Sequence, residues 1–154
     1  MKKVLSLLLV FIGILFLAGC GKTEKNVEGS LSDLMTKVYE GAGVSHEDME
    51  TVELNSENTS FYLGDVSFSF KEALASEPIM SSVAHSVVLI RLNSASDAEK
   101  AKKEIKEKVD PNKWVCVSVD EENVYVESVG DLVILAMDNQ NGEKLKDSFL
   151  NLSK

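Results

Sequence analysis

The chain has 154 residues, of which 25 are acidic and 16 basic, for a net charge of −9 at neutral pH. That length accommodates one compact domain and excludes the two lobes of a large solute receptor. The acidic excess disfavours nucleic acid and anionic lipid headgroups as partners.

Lys2 and Lys3 precede an apolar run from Val4 to Ala18 broken only by Ser6 and Gly13, the charged and hydrophobic regions of an export signal. The run is shorter than the roughly 20 apolar residues that span a bilayer. It ends in Leu17-Ala18-Gly19-Cys20, where small residues let the chain lie extended in a peptidase cleft and the thiol can take up a diacylglyceryl group. This pattern resembles the lipobox of bacterial lipoproteins. The resemblance implies a signal peptide over 1–19 and a mature chain that begins at an acylated Cys20, held by its acyl chains on the outer, extracytoplasmic side of a cell membrane. The alternative is an ordinary signal peptide with a chance cysteine. Removing 1–19 leaves 14 basic against 25 acidic residues, a net −11, so the acyl chains and not a basic patch would supply the attachment. Two such chains suffice for stable anchoring.

Residues 20–30 are polar apart from a single valine and are expected to form a flexible tether ahead of one domain over 31–154. Ser30 with Asp33 resembles a capping box, and Leu31, Leu34, Met35, Val38, Tyr39 and Ala42 share one helical face, with Gly41 and Gly43 as the stop. From Ser45 to Asn58 the acids Glu47, Asp48, Glu50, Glu53 and Glu57 lack the alternating spacing and glycine of a calcium loop, which predicts a solvated connector and no metal site. Phe61 to Phe70 alternates Val66, Phe68 and Phe70 with polar residues, as a half-buried strand turning at Leu63-Gly64 would. Lys71 to Ser76 can form helical turns before Pro78.

The apolar run within Ser86 to Leu92 predicts a central strand covered on both faces. Ser96 and Glu99 form a capping-box pattern, and Ala98, Ala101, Ile105 and Val109 mark the buried stripe of a helix otherwise covered by charges. Pairs such as Glu99 with Lys103 and Glu104 with Lys108 lie on its wet face. Asp110-Pro111-Asn112 ends it. Trp114 to Val119, Val124 to Ser128 and Leu132 to Met137, joined by short loops, predict a three-strand antiparallel meander. A last helix carries Leu145, Phe149 and Leu152 inward.

These elements make an α+β fold: a mostly antiparallel sheet of four to five strands, ending in the three-strand meander and packed on two or three helices. The order resembles that of a family of uncharacterised lipoproteins found mainly in Gram-positive bacteria. The similar stretches are Ser76-Glu77-Pro78-Ile79-Met80, Ala84-His85-Ser86-Val87-Val88-Leu89-Ile90-Arg91, Lys113-Trp114-Val115-Cys116-Val117 and Gly130-Asp131-Leu132-Val133-Ile134. The resemblance implies place and fold class, and no catalytic residues.

The chain contains no G-x-S-x-G turn, no H-E-x-x-H helix and no glycine-rich phosphate loop, and no cofactor is expected. His85 and Ser86 are neighbours on a strand and point to opposite faces, which argues against a catalytic pair. The segment Pro78 to His85 offers a binding surface through Met80, Ser81, Ser82 and His85 at the entrance to the central strand. In the purely structural alternative Ile79 and Met80 plug the core while Ser81, Ser82 and His85 cap backbone groups. Trp114 either covers the sheet edge or binds sugar or peptide. With Cys20 acylated, Cys116 has no partner for an intramolecular disulfide, and its strand context predicts a small buried hydrophobe. The function expected is a non-enzymatic, lipid-anchored binding or accessory module for a protein, wall material or a small ligand. The alternatives are a cation-binding accessory protein that uses the acids between His46 and Glu57, or a cryptic hydrolase.

Overall fold

A computed structural model describes residues 26–154. The leader, Cys20 and residues 21–25 lie outside the described residues. The fold is α+β, as the sequence predicts. Five strands, β1 (Met49–Glu53), β2 (Phe70–Pro78), β3 (Ser86–Leu92), β4 (Val124–Val129) and β5 (Leu132–Met137), form one antiparallel sheet in the order β1-β2-β3-β5-β4. Four helices cover it: α1 (Leu31–Ala42), α2 (Thr59–Leu63), α3 (Ala98–Lys108) and α4 (Gly142–Leu150).

β3 lies at the centre and is buried along its whole length, and β5 beside it is equally buried. Side-chain alternation distributes these strands over two cores. Val87, Leu89, Leu132, Ile134 and Ala136 face α1 and α4, whereas Val88, Ile90, Leu92, Val133, Leu135 and Met137 face α2 and α3. Each strand has an apolar layer on both sides, which explains why their sequences run continuously apolar instead of alternating.

α1 begins and ends near its predicted bounds. Ser30 accepts the Asp33 N–H at 3.1 Å, and Gly43 closes the helix in the left-handed region at φ 65°, a conformation that favours glycine. Gly41 does not end the helix. It lies inside the last turn, where a Cβ would stand 2.3 Å from the Ser148 hydroxyl, so glycine there permits the close approach of α1 and α4.

Several local expectations are overturned, some by tertiary contacts that outweigh local preference and one by a local hydrogen-bonded turn. The connector from Ser45 to Asn58 contains edge strand β1, whose exposed Glu50 and Glu53 protect a free sheet edge by charge. Phe61 to Leu63 is helical, because the Asn58 carboxamide accepts the Asn55 N–H and the Asn55 carbonyl takes the Thr59 N–H. Ser67 is held out of any ladder by Glu104, which accepts its N–H at 2.6 Å and its hydroxyl at 2.7 Å. Lys71 to Ser76, expected to be helical, is strand, because Ala73 and Ala75 fill one core and the segment pairs on both sides.

The Ser96–Glu99 capping box is absent. Ser94 instead accepts the Ser96 N–H at the start of a short 3₁₀ turn, Ala95–Asp97. On α3, Glu104 pairs with Lys108 as predicted, but Glu99 pairs with Lys102 and not with Lys103. The C-terminal meander keeps two of its three strands, β4 and β5, joined by a tight turn with Gly130 at φ 58°. Trp114 to Val119 is irregular. Lys113 is drawn to Glu77 on β2 and the Val115 N–H to the Ser81 carbonyl, so the segment lies across the end of the sheet and leaves the outer edge of β4 unpaired.

The expected tether is also shorter than 20–30. Val27 is buried, and the Arg91 guanidinium donates to the carbonyls of Val27 and Gly29, both at 2.8 Å. Arg91 also pairs with Glu72 at 2.9 Å, so the chain is clamped to the sheet from Asn26 onward.

Candidate functional site

Two buried polar clusters occupy the end of the sheet where β2 leaves and β3 enters, one on each face. On the α1 face the Tyr39 hydroxyl lies 2.7 Å from His85 Nε2 and 2.9 Å from Ser76 Oγ, and His85 Nδ1 lies 2.7 Å from Asp138 Oδ2. Asp138 also accepts the backbone N–H groups of Gln140 and Asn141 through Oδ1. With Asp138 ionised, His85 Nδ1 carries the proton it donates to the carboxylate. Burial raises the Tyr39 phenol well above its ordinary value, reinforced by the charges of Glu77 and Asp138 and opposed by the Ser76 hydrogen bond. Burial also works against the Asp138 carboxylate, but the hydrogen bonds from His85, Asn141 and Gln140 outweigh it and hold Asp138 below the ordinary carboxylate value.

On the opposite face Lys113 Nζ donates to Glu77 Oε1 at 2.7 Å and to Ser86 Oγ at 3.2 Å, and the Ser86 hydroxyl donates to Glu77. The Lys113 ammonium also lies 4.9, 4.7 and 5.1 Å from the ring centres of Phe61, Tyr62 and Trp114, a cation–π cage. Lys113 and Glu77 side chains are 3% and 10% exposed. Burial lowers the Lys113 ammonium below its ordinary value, with the neighbouring carboxylate opposing.

His85 and Ser86 therefore do point to opposite faces, and each is committed to its own buried network. Neither the Tyr39 phenol nor the Ser86 hydroxyl reaches solvent. The side chains of both clusters are hydrogen-bonded to one another beneath the loops that join β2 to β3.

Those loops form the exposed surface. Ile79 donates to the Asp48 carbonyl at 3.1 Å, Val83 closes a turn onto the Met80 carbonyl at 3.2 Å, and the Val115 N–H reaches the Ser81 carbonyl at 3.3 Å. Two chain segments are thereby stitched into one tip, with Phe61 beside it over Lys113. The five large apolar side chains that stand in solvent among the described residues, Phe61, Ile79, Met80, Val83 and Val115, all belong to this tip and are 39–67% exposed. Scattered apolar exposure is ordinary, whereas convergence on one patch marks an interaction surface.

Of the predicted binding residues, Met80, Ser81 and Ser82 are exposed on the tip. His85 is buried beneath it, between Tyr39 and Asp138. Trp114 is half-buried against the lower core; its indole N–H is shielded from solvent and has no hydrogen-bond partner. Phe61 and Val115 are members of the surface that local sequence reading missed, because only the fold brings their segments beside it, whereas Ile79 and Val83 belong to the predicted Pro78 to His85 segment, where Ile79 and Met80 stand in solvent and do not plug the core. Cys116 was expected to be a buried strand residue. It is exposed on the same tip in the left-handed region at φ 62°, a conformation an extended strand does not contain. In the folded protein Cys116 is therefore expected to react with a maleimide about as fast as in the unfolded chain, which stopped-flow labelling with and without denaturant measures.

Among the described residues no three histidine, cysteine or acidic side chains gather in a metal-binding arrangement. No helix among the described residues is long and apolar enough to cross a membrane. Comparison with protein-family models, with curated proteins and with solved structures finds no match to this chain.

Proposed function

We propose that the protein is a non-enzymatic binding module, lipid-anchored through Cys20 on the extracytoplasmic side of a membrane, and that the apolar tip is its contact surface for a protein partner. One observation carries the binding assignment. The exposed large apolar side chains of the described residues lie on the β2–β3 loop, on the 113–117 segment hydrogen-bonded to it, and at Phe61 of α2 beside Lys113. A surface held rigid before contact loses little entropy on binding. The anchor is supported by the charged and apolar leader that stops at Leu17-Ala18-Gly19-Cys20.

The tip is tested with Met80→Asp combined with Val115→Asp. Both positions are exposed, so the double variant should keep its unfolding free energy to within about 0.5 kcal/mol per substitution. Partner capture by crosslinking on the native membrane should fall by ~10-fold or more, equivalent to ~1.4 kcal/mol of lost affinity. Undiminished capture of the same partner would remove the tip from the account.

A further inference from the structure

The loop from Pro111 to Val119 leaves the domain and returns to it at one place. Its base is closed by the Val119 N–H, which donates to the Pro111 carbonyl at 2.9 Å, the arrangement of an Ω-loop whose ends meet while its body lies over the surface. The body is tied down by Lys113 Nζ on Glu77 and Ser86, by the Val115 N–H on the Ser81 carbonyl at 3.3 Å, and by the Asn139 carboxamide on the Ser118 carbonyl at 3.2 Å. Trp114 adds packing against the lower core. The closed position also carries local costs. The Trp114 indole N–H is shielded from water without a partner, and Cys116, which is not glycine, stands at φ 62°. Opening the loop hydrates the first and relaxes the second.

Beneath the loop is a chamber whose chemistry is set by what it holds. Glu77 Oε1 and Ser86 Oγ accept from the Lys113 ammonium at 2.7 and 3.2 Å, and the rings of Phe61 and Tyr62 stand 4.9 and 4.7 Å from it. These groups belong to β2, β3 and α2 and stay behind when the loop moves; only the Trp114 face travels with it. Glu50 is paired with Glu77 across the β1–β2 ladder, and Asp110 adds its negative charge beside the base of the loop. A carboxylate, a hydroxyl and aromatic faces in acidic surroundings suit a primary ammonium on an alkyl stem and repel an anion.

We infer that the chamber is a binding site for a primary alkylammonium, the chemistry of a lysine side chain, that Lys113 keeps it filled in the resting protein, and that the loop is the lid which swings about its closed base to vacate it. Lys113 is then an intramolecular ligand, favoured over a free ammonium by its tether. An external lysine displaces it only when other contacts of its carrier offset that advantage. Because opening withdraws Val115 from Ser81, the vacated chamber and the intact apolar tip exclude one another.

The lid is tested on the full-length chain by pulses of an acetylating reagent across urea concentrations below the unfolding transition, with Lys113 read by mass spectrometry. An opening confined to the loop exposes little surface, so Lys113 should be acetylated at a rate that hardly changes with urea. A rate that rises with urea in step with global unfolding would overturn the lid. The chamber is tested with Lys113→Ala and n-propylammonium, which replaces the atoms lost beyond Cβ. The melting temperature of the variant should rise saturably by about 5 °C, whereas 1-propanol should not raise it, and the wild type, already filled, should not respond to propylammonium. The response should vanish when Glu77→Gln is added. Should Lys113→Ala be unfolded, recovery of its circular dichroism by propylammonium and not by propanol gives the same support. Equal effects of the two compounds, no effect of either, or a response that survives Glu77→Gln would overturn the chamber.

Discussion

Replacing Glu77 with glutamine is expected to destabilise the domain by about 3–5 kcal/mol. Glu77 and Lys113 are both nearly excluded from solvent and lie 2.7 Å apart, so removing the carboxylate charge leaves an ammonium buried among Phe61, Tyr62 and Trp114. Burial already lowers the affinity of Lys113 for its proton, and Glu77 is the main influence opposing that trend. The aromatic faces recover part of the loss, since each cation–π contact contributes about 0.5–2 kcal/mol. The double variant Glu77→Leu with Lys113→Met removes both charges and should regain most of the stability, as apolar replacements of buried ion pairs commonly do. Urea unfolding of the two variants measures the difference. Because Lys113 holds the 113–117 segment across the sheet end, Glu77→Gln should also weaken partner capture at the tip. A loss below ~1 kcal/mol would place the pair in the solvent-exposed class.

His85→Leu is expected to cost about 2–4 kcal/mol while leaving tip binding intact in the folded fraction. The substitution deprives the buried Tyr39 hydroxyl of one partner and the Asp138 carboxylate of its charge-assisted donor. Tyr39→Phe removes a single hydroxyl from the same network and should cost only about 1 kcal/mol. The pH dependence follows from Asp138. Its folded-state value is depressed below the ordinary 3.8, so the unfolded chain binds its proton first on acidification. Its contribution is present above the ordinary carboxylate value and is lost as the pH falls through the lower folded value. His85→Leu should flatten that part of the stability profile, which thermal unfolding between pH 2 and 6 records. Loss of partner capture without loss of stability would instead return His85 to the binding surface.

The sequence made the long elements legible where local and tertiary preference agree. The α1 face from Leu31 to Ala42, the buried run of β3 and the inward residues Leu145 and Phe149 of α4 all carry periodicity that one packed face explains. The errors occur where a distant residue decides. Ser67 is withdrawn from a strand by Glu104, thirty-seven positions away, and Trp114 to Val119 is drawn off the sheet by Glu77, whose pairing with Lys113 spans a similar distance. Valine-rich alternation alone could not reveal that Lys113 at the head of the segment is held by Glu77. The tip was half legible. Met80, Ser81 and Ser82 fall in a loop at a strand end, where binding residues are expected, but Phe61 and Val115 join them only through contacts among three separate segments. The opposite orientation of His85 and Ser86 could be read directly from the two-residue repeat of a strand, and that repeat assigns each to its own cluster.

Everything proposed about place depends on one thiol, and fatty-acid labelling of the full-length chain in a lipoprotein-processing bacterium tests it most directly. The wild-type protein should incorporate a labelled fatty acid and sediment with membranes. Cys20→Ser should incorporate none and leave the membrane fraction. A labelled Cys20→Ser protein, or an unlabelled wild type, would contradict the anchored binding module.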